Sequence, residues 1–346
     1  MKTLCFRLLL CVAAGAALQC GYRPSEAAKS SMLIVYSTGD AYVTVPGKPE
    51  TRAVAGMLVR ANDVIRTENG TLDMQTSRRA AVRVREYTTL AVSEIREKAA
   101  LLKLKKGAVL ARVDRESKEE SFSIQTPTAV AGVRGTTFSI GVGEDNRSQL
   151  RVIQGQVSFA VHIPVLEGKT PEQIQADPLL QKLARIQAQE AVIEDRMQGR
   201  LDEKLEKQLI ESAVPPKVED VRPVVAEKIE MPALEVLESR TLVTVNPELI
   251  DKSIRGEARA AEEIEKEREE ARERVLEQIK GEVSAIEMNT EEEIRKRYAR
   301  LELITLNSGE TIRGAVIVQT GNALLVHTTS GVKRIPRSDL RYQEPL

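Results

Sequence analysis

Between residues 32 and 163 the chain is written in short runs of period two. L-I-V-Y, Y-V-T-V, D-V-I-R-T, A-V-R-V-R, F-S-I-Q-T and T-F-S-I-G-V follow one another, rich in β-branched residues and separated by glycine, asparagine and aspartate. A strand turns successive side chains to opposite faces, so this alternation predicts strands that each bury one face. Many short strands at close spacing predict a β sandwich or a roll of stacked hairpins over 32–163. Gly39-Asp40, Asn69-Gly70 and Lys106-Gly107 read as turns.

After Pro164 the period changes. Leu179, Leu183, Ile186, Ile193, Met197, Leu201, Leu205 and Leu209 recur at helical spacings, and Asp177-Pro178 reads as an N-cap followed by proline at the first helical position. The spacing predicts an amphipathic helix over 170–213, broken near Gly199. Pro215, Pro216, Pro223, Pro232 and Pro247 make 214–254 an extended linker with short ordered pieces. From 255 to 300 the chain is charged almost throughout, with repeated Glu and Lys or Arg four apart. Ile264, Ala271, Val275, Ile279, Val283 and Ile286 form a thin apolar stripe. That pattern predicts a long solvated helix or weak coiled coil that permits self-association. Residues 301–346 return to short strands joined by S-G, T-G-N and S-G turns, which predicts a small barrel of the Sm or Src-homology kind, because short strands need partners on both edges. The expected fold class is mainly β with long α-helices: a sandwich or roll, a helical spacer, and a small C-terminal β barrel. A spacer helix of forty residues would hold the two β modules about 60 Å apart.

Composition narrows the function. Lys and Arg together equal Asp and Glu, so the formal net charge is zero, and nothing favours nucleic acid as a partner. Aromatic residues are 3% of the chain and tryptophan is absent, which disfavours an aromatic carbohydrate platform. His162 and His327 are the two histidines and lie far apart. No motif sets a nucleophile beside a base, and no metalloprotease, P-loop or nucleophile-elbow pattern occurs. The expectation is a non-enzyme with no cofactor and no metal.

The first residues carry a targeting pattern. Lys2 and Arg7 precede an apolar run from Leu8 to Leu18, the form of a secretory signal over 1–20 that is too short for a permanent membrane span. No later segment matches its apolarity, so the mature chain is expected to have no transmembrane helix. Cys5, Cys11 and Cys20 are the three cysteines, so no disulfide framework exists beyond Cys20. A-A-L-Q-C-G around Cys20 resembles a relaxed bacterial lipobox of the spirochaete kind, with Ala17 at −3 and Gln19 at −1. That resemblance implies a diacylglycerol on the Cys20 thiol and anchoring to the inner or outer membrane. The alternative is an ordinary signal cut later, for example after Ala28.

One stretch stands apart: F-S-I-Q-T-P-T-A-V-A-G-V-R-G-T-T-F, from Phe122 to Phe138. Thr126-Pro127 ends a strand, because proline donates nothing to a ladder. Gly132 and Gly135 flank Arg134 and permit tight backbone there. The guanidinium reads either as a staple forking onto carbonyls or a carboxylate in the turn, or as an anion-binding group. With N-D-V-I-R-T-E-N-G-T-L-D-M-Q at 62–75, K-K-G-A-V-L-A-R-V at 105–113 and V-I-Q-G-Q-V-S-F at 152–159, the stretch resembles the FecR domain family over residues 32–163, with Thr126, Pro127, Gly132, Val133, Arg134, Gly135, Thr136 and Phe138 as its motif. The resemblance implies a periplasmic β domain that transmits or scaffolds. Type members of the family read an outer-membrane receptor and regulate a cytoplasmic sigma factor. This chain is expected to depart from them in lacking the N-terminal cytoplasmic region and the true transmembrane helix. The expected role is a lipid-anchored scaffold or adaptor meeting envelope proteins or peptidoglycan. The alternative is a signalling regulator whose FecR-like domain senses a partner.

Overall fold

The computed structural model describes residues 25–77, 80–96, 99–114, 121–211, 222–320 and 322–346; the expected signal segment and Cys20 lie outside them. After a short helix α1 (Glu26–Lys29) come β1 (Ser31–Thr38), β2 (Ala41–Thr44), β3 (Thr51–Arg52), β4 (Leu58–Arg60), β5 (Val64–Thr67), β6 (Thr71–Gln75), β7 (Ala80–Val84) and β8 (Thr89–Arg96). Then follow β9 (Ala99–Val113), β10 (Ser121–Gln125), β11 (Ala129–Val133), β12 (Thr136–Val142), β13 (Ser148–Gln154) and β14 (Val157–Val161). Helices α2 (Pro171–Ala176) and α3 (Pro178–Gln187) lead to β15 (Glu190–Ile193), β16 (Met197–Leu201), α4 (Glu203–Glu211) and β17 (Val224–Lys228).

Two sheets share one strand. The front sheet runs β17-β16-β13-β12-β9-β7-β6-β1-β4. The back sheet runs β15-β14-β11-β10-β9-β8-β5-β2-β3. All of these pairs are antiparallel except β9 with β10. The first half of β9 pairs in the back sheet with β8 and β10, and its second half pairs in the front sheet with β7 and β12. Lys106-Gly107 is therefore a bend within a strand, not the expected turn. Gly107 has φ +86°, and a Cβ there would lie 2.6 Å from Thr88 Cα. The apolar faces of both sheets meet in one core around Met32, Leu72, Leu104, Phe138 and Phe159. Burying each such side chain stabilises by about 1.5–3 kcal/mol.

The expected helix over 170–213 is three short helices and two strands. Asp177 ends α2 and caps α3, its Oδ1 accepting from the Leu179 and Leu180 amides at 2.8 and 3.3 Å. Ile193 and Leu201 then enter the sandwich core from strands β15 and β16. Gly199 breaks no helix. It lies in β16 where a Cβ would come within 2.9 Å of Ile193 Cγ1.

The expected linker over 214–254 is also ordered where it is described. β17 extends the front sheet beside β16. Helices α5 (Ala233–Thr241) and α6 (Pro247–Ile254) lie over that sheet's outer face. Leu33, Val35, Val245, Ile250 and Ile264 form one apolar cluster, and Ala81, Leu110 and Leu242 another. The charged segment forms α7 (Ala260–Ser284) and α8 (Glu291–Tyr298), the latter started by a Thr290–Glu293 capping box. α7 is not solvated all round: Ile264, Arg268, Arg272, Leu276, Ile279 and Val283 are buried along one side. Two arginines thus stand in the stripe where apolar residues were expected.

At 1.5 Å per residue α7 is about 37 Å long, well short of a 60 Å spacer. Its N-terminal half lies on the front sheet and its C-terminal half on the last sheet, where Ile279 and Val283 meet Ile317 and Leu325. The two β units share this helix and are not held apart by it. The last sheet contains β18 (Glu302–Leu306), β19 (Thr311–Gln319), β20 (Ala323–Thr328), β21 (Gly331–Pro336) and β22 (Leu340–Pro345) in the order β21-β20-β19-β18-β22. It is an open sheet, not the expected closed barrel. One face encloses Ile304, Ile312, Val316, Leu324 and Val326, while α5, α7 and α8 cover Ala315, Ile317, Val318 and Leu325. Those helices bury the apolar surface that closure would otherwise have to cover.

Polar bonds fasten the helices to the front sheet. Asp73 and Arg83 face each other on β6 and β7 in a two-pronged pair of 2.7 and 2.8 Å, both buried. Arg83 Nη1 donates to Thr241 Oγ1 at 2.8 Å. Gln75 exchanges bonds of 2.7 and 2.8 Å with the Val245 backbone, and Arg112 donates to the Leu242 and Ser239 carbonyls. Burial alone would raise the Asp73 carboxyl, but the charge and hydrogen bonds of Arg83, helped by Arg272 and Arg268, hold it below its ordinary value. Removing one partner of such a pair strands the other charge in the interior. We expect Asp73→Asn to lose about 3–5 kcal/mol in urea unfolding, whereas Arg240→Gln, at an exposed pair with Glu282, leaves the midpoint unchanged.

Candidate functional site

The motif residues lie at two ends of the back sheet. Thr126, Pro127 and Thr128 turn the chain from β10 to β11, and Arg134 and Gly135 turn it from β11 to β12. The five residues of β11 separate these ends by about 17 Å. Val133 and Phe138 are core residues. Gly132 sits mid-strand between Ser123 and Ser158, and a Cβ there would have 3.8 Å of clearance, so it is not needed for tight backbone. The glycine that sequence reasoning passed over is Gly155, at φ +94°, where a Cβ would lie 2.6 Å from the Gly135 carbonyl oxygen. Its signal was the single glycine of V-I-Q-G-Q-V. Thr136 closes the corner, its Oγ1 donating to the Gln156 carbonyl at 2.7 Å and accepting from the Gln156 amide at 3.3 Å. Arg134 staples nothing: its side chain is exposed and makes no ion pair among the described residues. Among the described residues it is an unpaired cation at the corner.

At the other end the hydroxyls are buried. Thr126 Oγ1 and Thr128 Oγ1 both bond Ser148 Oγ, at 2.7 and 2.6 Å. Glu206 of α4 accepts from Thr128 Oγ1 at 2.9 Å and from the Ser148 amide at 2.8 Å. This carboxylate is 3% exposed, and burial pushes its pKa up against the pull of those two bonds. Nearby, Glu167 accepts from Gln125 at 2.8 Å and Lys103 at 3.0 Å, which hold its pKa down at about 2, and His162 Nε2 lies 3.1 Å away. These groups latch α4 and the turn after β14 onto the sandwich.

An acid whose pKa is raised by folding is favoured at low pH and disfavoured once ionised. Glu206→Gln keeps an oxygen for both donors and removes the charge. We expect it to melt at or above the wild-type temperature at pH 8, with the gap closing as pH falls through the raised carboxyl pKa. Glu206→Leu, which strands the Ser148 amide and Thr128 hydroxyl, should melt lower at every pH.

Two surface grooves flank these elements. The larger, about 1180 Å³, lies along the front sheet's far end. Three of its arginines are already paired: Arg85 with Glu238 at 2.7 Å, Arg147 with Glu203 at 3.1 Å and Arg151 with Glu235 at 3.2 Å. The smaller, about 640 Å³, lies on the outer face of the back sheet and is floored by Ser123, Gly132 and Ser158. Arg134 lies at one end of it, and Val192 of β15, 56% exposed, borders it. β15 is the edge strand there, with β14 its ladder partner on one side. Among the described residues no group of three or more His, Cys, Asp or Glu could hold a metal ion, and no helix is long and apolar enough to cross a membrane.

Comparison with known proteins bears on the same strands. Residues 63–158 match the family model described as FecR protein. No curated protein matches the chain. Two crystal structures of a candidate anti-sigma factor from Parabacteroides distasonis ATCC 8503, at 1.65 and 2.50 Å resolution, are similar to it at 13% and 12% identity. Their TM-scores are 0.31 and 0.30, over 48% and 47% of this chain. The chain spans 59% and 57% of those structures, less than two thirds of either. The matched residues begin just before β5, end within β14 and hold every glycine corner from Gly70 to Gly155: this part of the sandwich is a FecR domain.

Proposed function

We propose that the chain is a non-catalytic adaptor of the bacterial envelope whose FecR domain binds a partner protein on its back sheet. The observation that carries this reading is the one-sided cover of the sandwich. The chain's own helices seal the front sheet through buried polar bonds, and the back-sheet groove is left with small side chains, a free cation and an open strand edge. An extended segment can add to such an edge through main-chain bonds, with Ser123, Gly132 and Ser158 leaving room for its side chains. Arg134 selects a carboxylate on that segment. Peptidoglycan and a second copy of the chain are the competing occupants. The FecR match favours a regulatory version of this adaptor, in which the bound partner is a receptor and its occupancy is the signal.

Lipid on Cys20 would hold the domain at a membrane surface. Ser25, just beyond the undescribed segment, is tied by its amide and hydroxyl to Asp251 of α6, so an anchor there would restrain the folded body directly. Three acyl chains at about 0.8 kcal/mol per buried CH₂ anchor firmly. Metabolic labelling with a palmitate analogue should mark the wild-type protein and not Cys20→Ala, and the variant should move to the soluble fraction; labelling that survives the substitution rejects the anchor.

Docking is tested in cells with a photoreactive residue at Ser158. We expect it to capture an envelope protein through an extended segment, and Gly132→Glu, which the backbone tolerates, to abolish capture without shifting the melting temperature. Capture of peptidoglycan or of a second copy would replace the proposed partner. Unchanged capture in Gly132→Glu would sink the back-sheet site.

A further inference from the structure

A cleft of about 540 Å³ lies between the front sheet, α5, α7 and β19. Arg272 of α7 reaches it and is 3% exposed. Its guanidinium lies over the Tyr36 ring at 4.3 Å, and its Nη2 is 3.7 Å from Asp73 Oδ2, beyond hydrogen-bond range. Its Nε and Nη1 are buried without a hydrogen-bond partner among the described residues. Buried polar groups are normally satisfied, and a buried charge without an answering charge is costly.

No carboxylate among the described residues is hydrogen-bonded to Arg272. Asp73 is already engaged by both prongs of Arg83. Arg268, the third guanidinium near it, is answered by Glu265 at 2.6 Å and Glu269 at 2.7 Å. On the rest of the cleft wall Arg52 faces Asp40 at 3.6 Å, Glu238 is taken by Arg85, and Arg300 by Glu302, while Glu86 at the exposed rim has no ion pair among the described residues. Arg337, on the turn before β22, lines the same cleft and also has a buried Nε without a partner. The free donors in the cleft are therefore cationic and come from both β units: α7 over the front sheet, and the C-terminal sheet.

We propose that this cleft binds a small phosphoryl oxyanion, bridging Arg272 and Arg337. The unmatched nitrogens, Nε and Nη1 of Arg272 and Nε of Arg337, carry four N–H bonds on two side chains, and the three oxygens of a phosphoryl group, with more negative charge than one carboxylate, suit two guanidinium groups at once. The volume admits a small phosphate ester as well as the free ion. Bound there, the ligand ties the FecR domain to the C-terminal sheet. The site is separate from the back-sheet groove, so it stands whether or not that groove docks a protein.

The test is calorimetry and thermal unfolding of the full chain with inorganic phosphate, glycerol 3-phosphate and acetate, all at matched ionic strength. Phosphate or its ester should raise the melting temperature saturably, because a ligand that binds only the native state stabilises it by mass action. Arg272→Met should still fold without ligand, since the buried Nε and Nη1 have no hydrogen bond to lose and Met keeps an apolar side chain against Tyr36, and bind at least tenfold more weakly. Arg337→Gln, on a partly exposed turn, should weaken binding while keeping the fold, and it decides the matter if Arg272→Met does not fold. An equal rise in wild type and both variants would mean general exclusion of the anion from the surface and would overturn the site. Acetate binding as well as phosphate would overturn the phosphoryl assignment. Vesicles with phosphatidylglycerol, set against phosphatidylcholine, separate the sources: binding to them that depends on Arg272 makes the ligand a lipid headgroup, and its absence beside binding of the soluble ester makes it a free phosphate ester.

Discussion

Where the chain passes from one sheet of the sandwich to the other, two backbones meet with no room for a side chain. A Cβ on Gly70 would lie 2.3 Å from the Thr38 carbonyl oxygen, and Gly107 and Gly155 are as crowded by the corners beside them. These contacts fix how far the sheets can separate, and so how the core residues between them interlock. They also account for the spacing of the family pattern. The E-N-G-T, K-G-A-V, V-R-G-T and Q-G-Q-V pieces each put a glycine on the fold line. The motif is first a folding constraint, and Arg134, exposed beside the Gly135–Gly155 contact, takes no part in it among the described residues.

The second constraint is charge buried on purpose. The front sheet presents Asp73, Gln75, Arg83 and Arg112 to its helices in place of a purely apolar face. Gln75, Arg83 and Arg112 meet backbone groups or a hydroxyl of the helical segment, and Asp73 holds Arg83 in place to do so, so the helices can seat in one register. This closes one side of the sandwich, under helices fastened by buried polar bonds. It also turns α7 from a spacer into a shared beam, because the same helix that sets Ile264 against Leu33 and Val35 of the front sheet covers the last sheet with Ile279 and Val283.

The sandwich was legible because alternation with glycine punctuation has few other solutions. The helical half was not, and each misreading has a physical cause. Ile193 and Leu201 fit a helical spacing, but each is buried from a short strand that the neighbouring sheet edges recruit. Prolines read as breakers serve as starters: Pro232 precedes α5, and Pro247 opens α6 after the Asn246 cap. Arg268 and Arg272 read as solvent-facing because arginine usually is, while the stacking of both on Tyr36 depends on a residue more than two hundred positions away. Glu206 was invisible for the same reason, since its partners Thr128 and Ser148 come from another part of the chain. The open last sheet was read as closed because the sequence pattern of its strands says nothing of helices covering one face.

An adaptor needs one conformation, whereas a regulator needs two that a ligand binds unequally. Most of the boundary between helices and front sheet is closed by short, matched polar bonds that favour one arrangement. At the cleft the matching stops, with donors of Arg272 and Arg337 unanswered between two β units that share α7. A second arrangement would break fewest bonds there. If the back sheet reports occupancy to the rest of the molecule, the cleft is where the change would be felt, because the sandwich core between the two faces is packed too closely to transmit it by deforming.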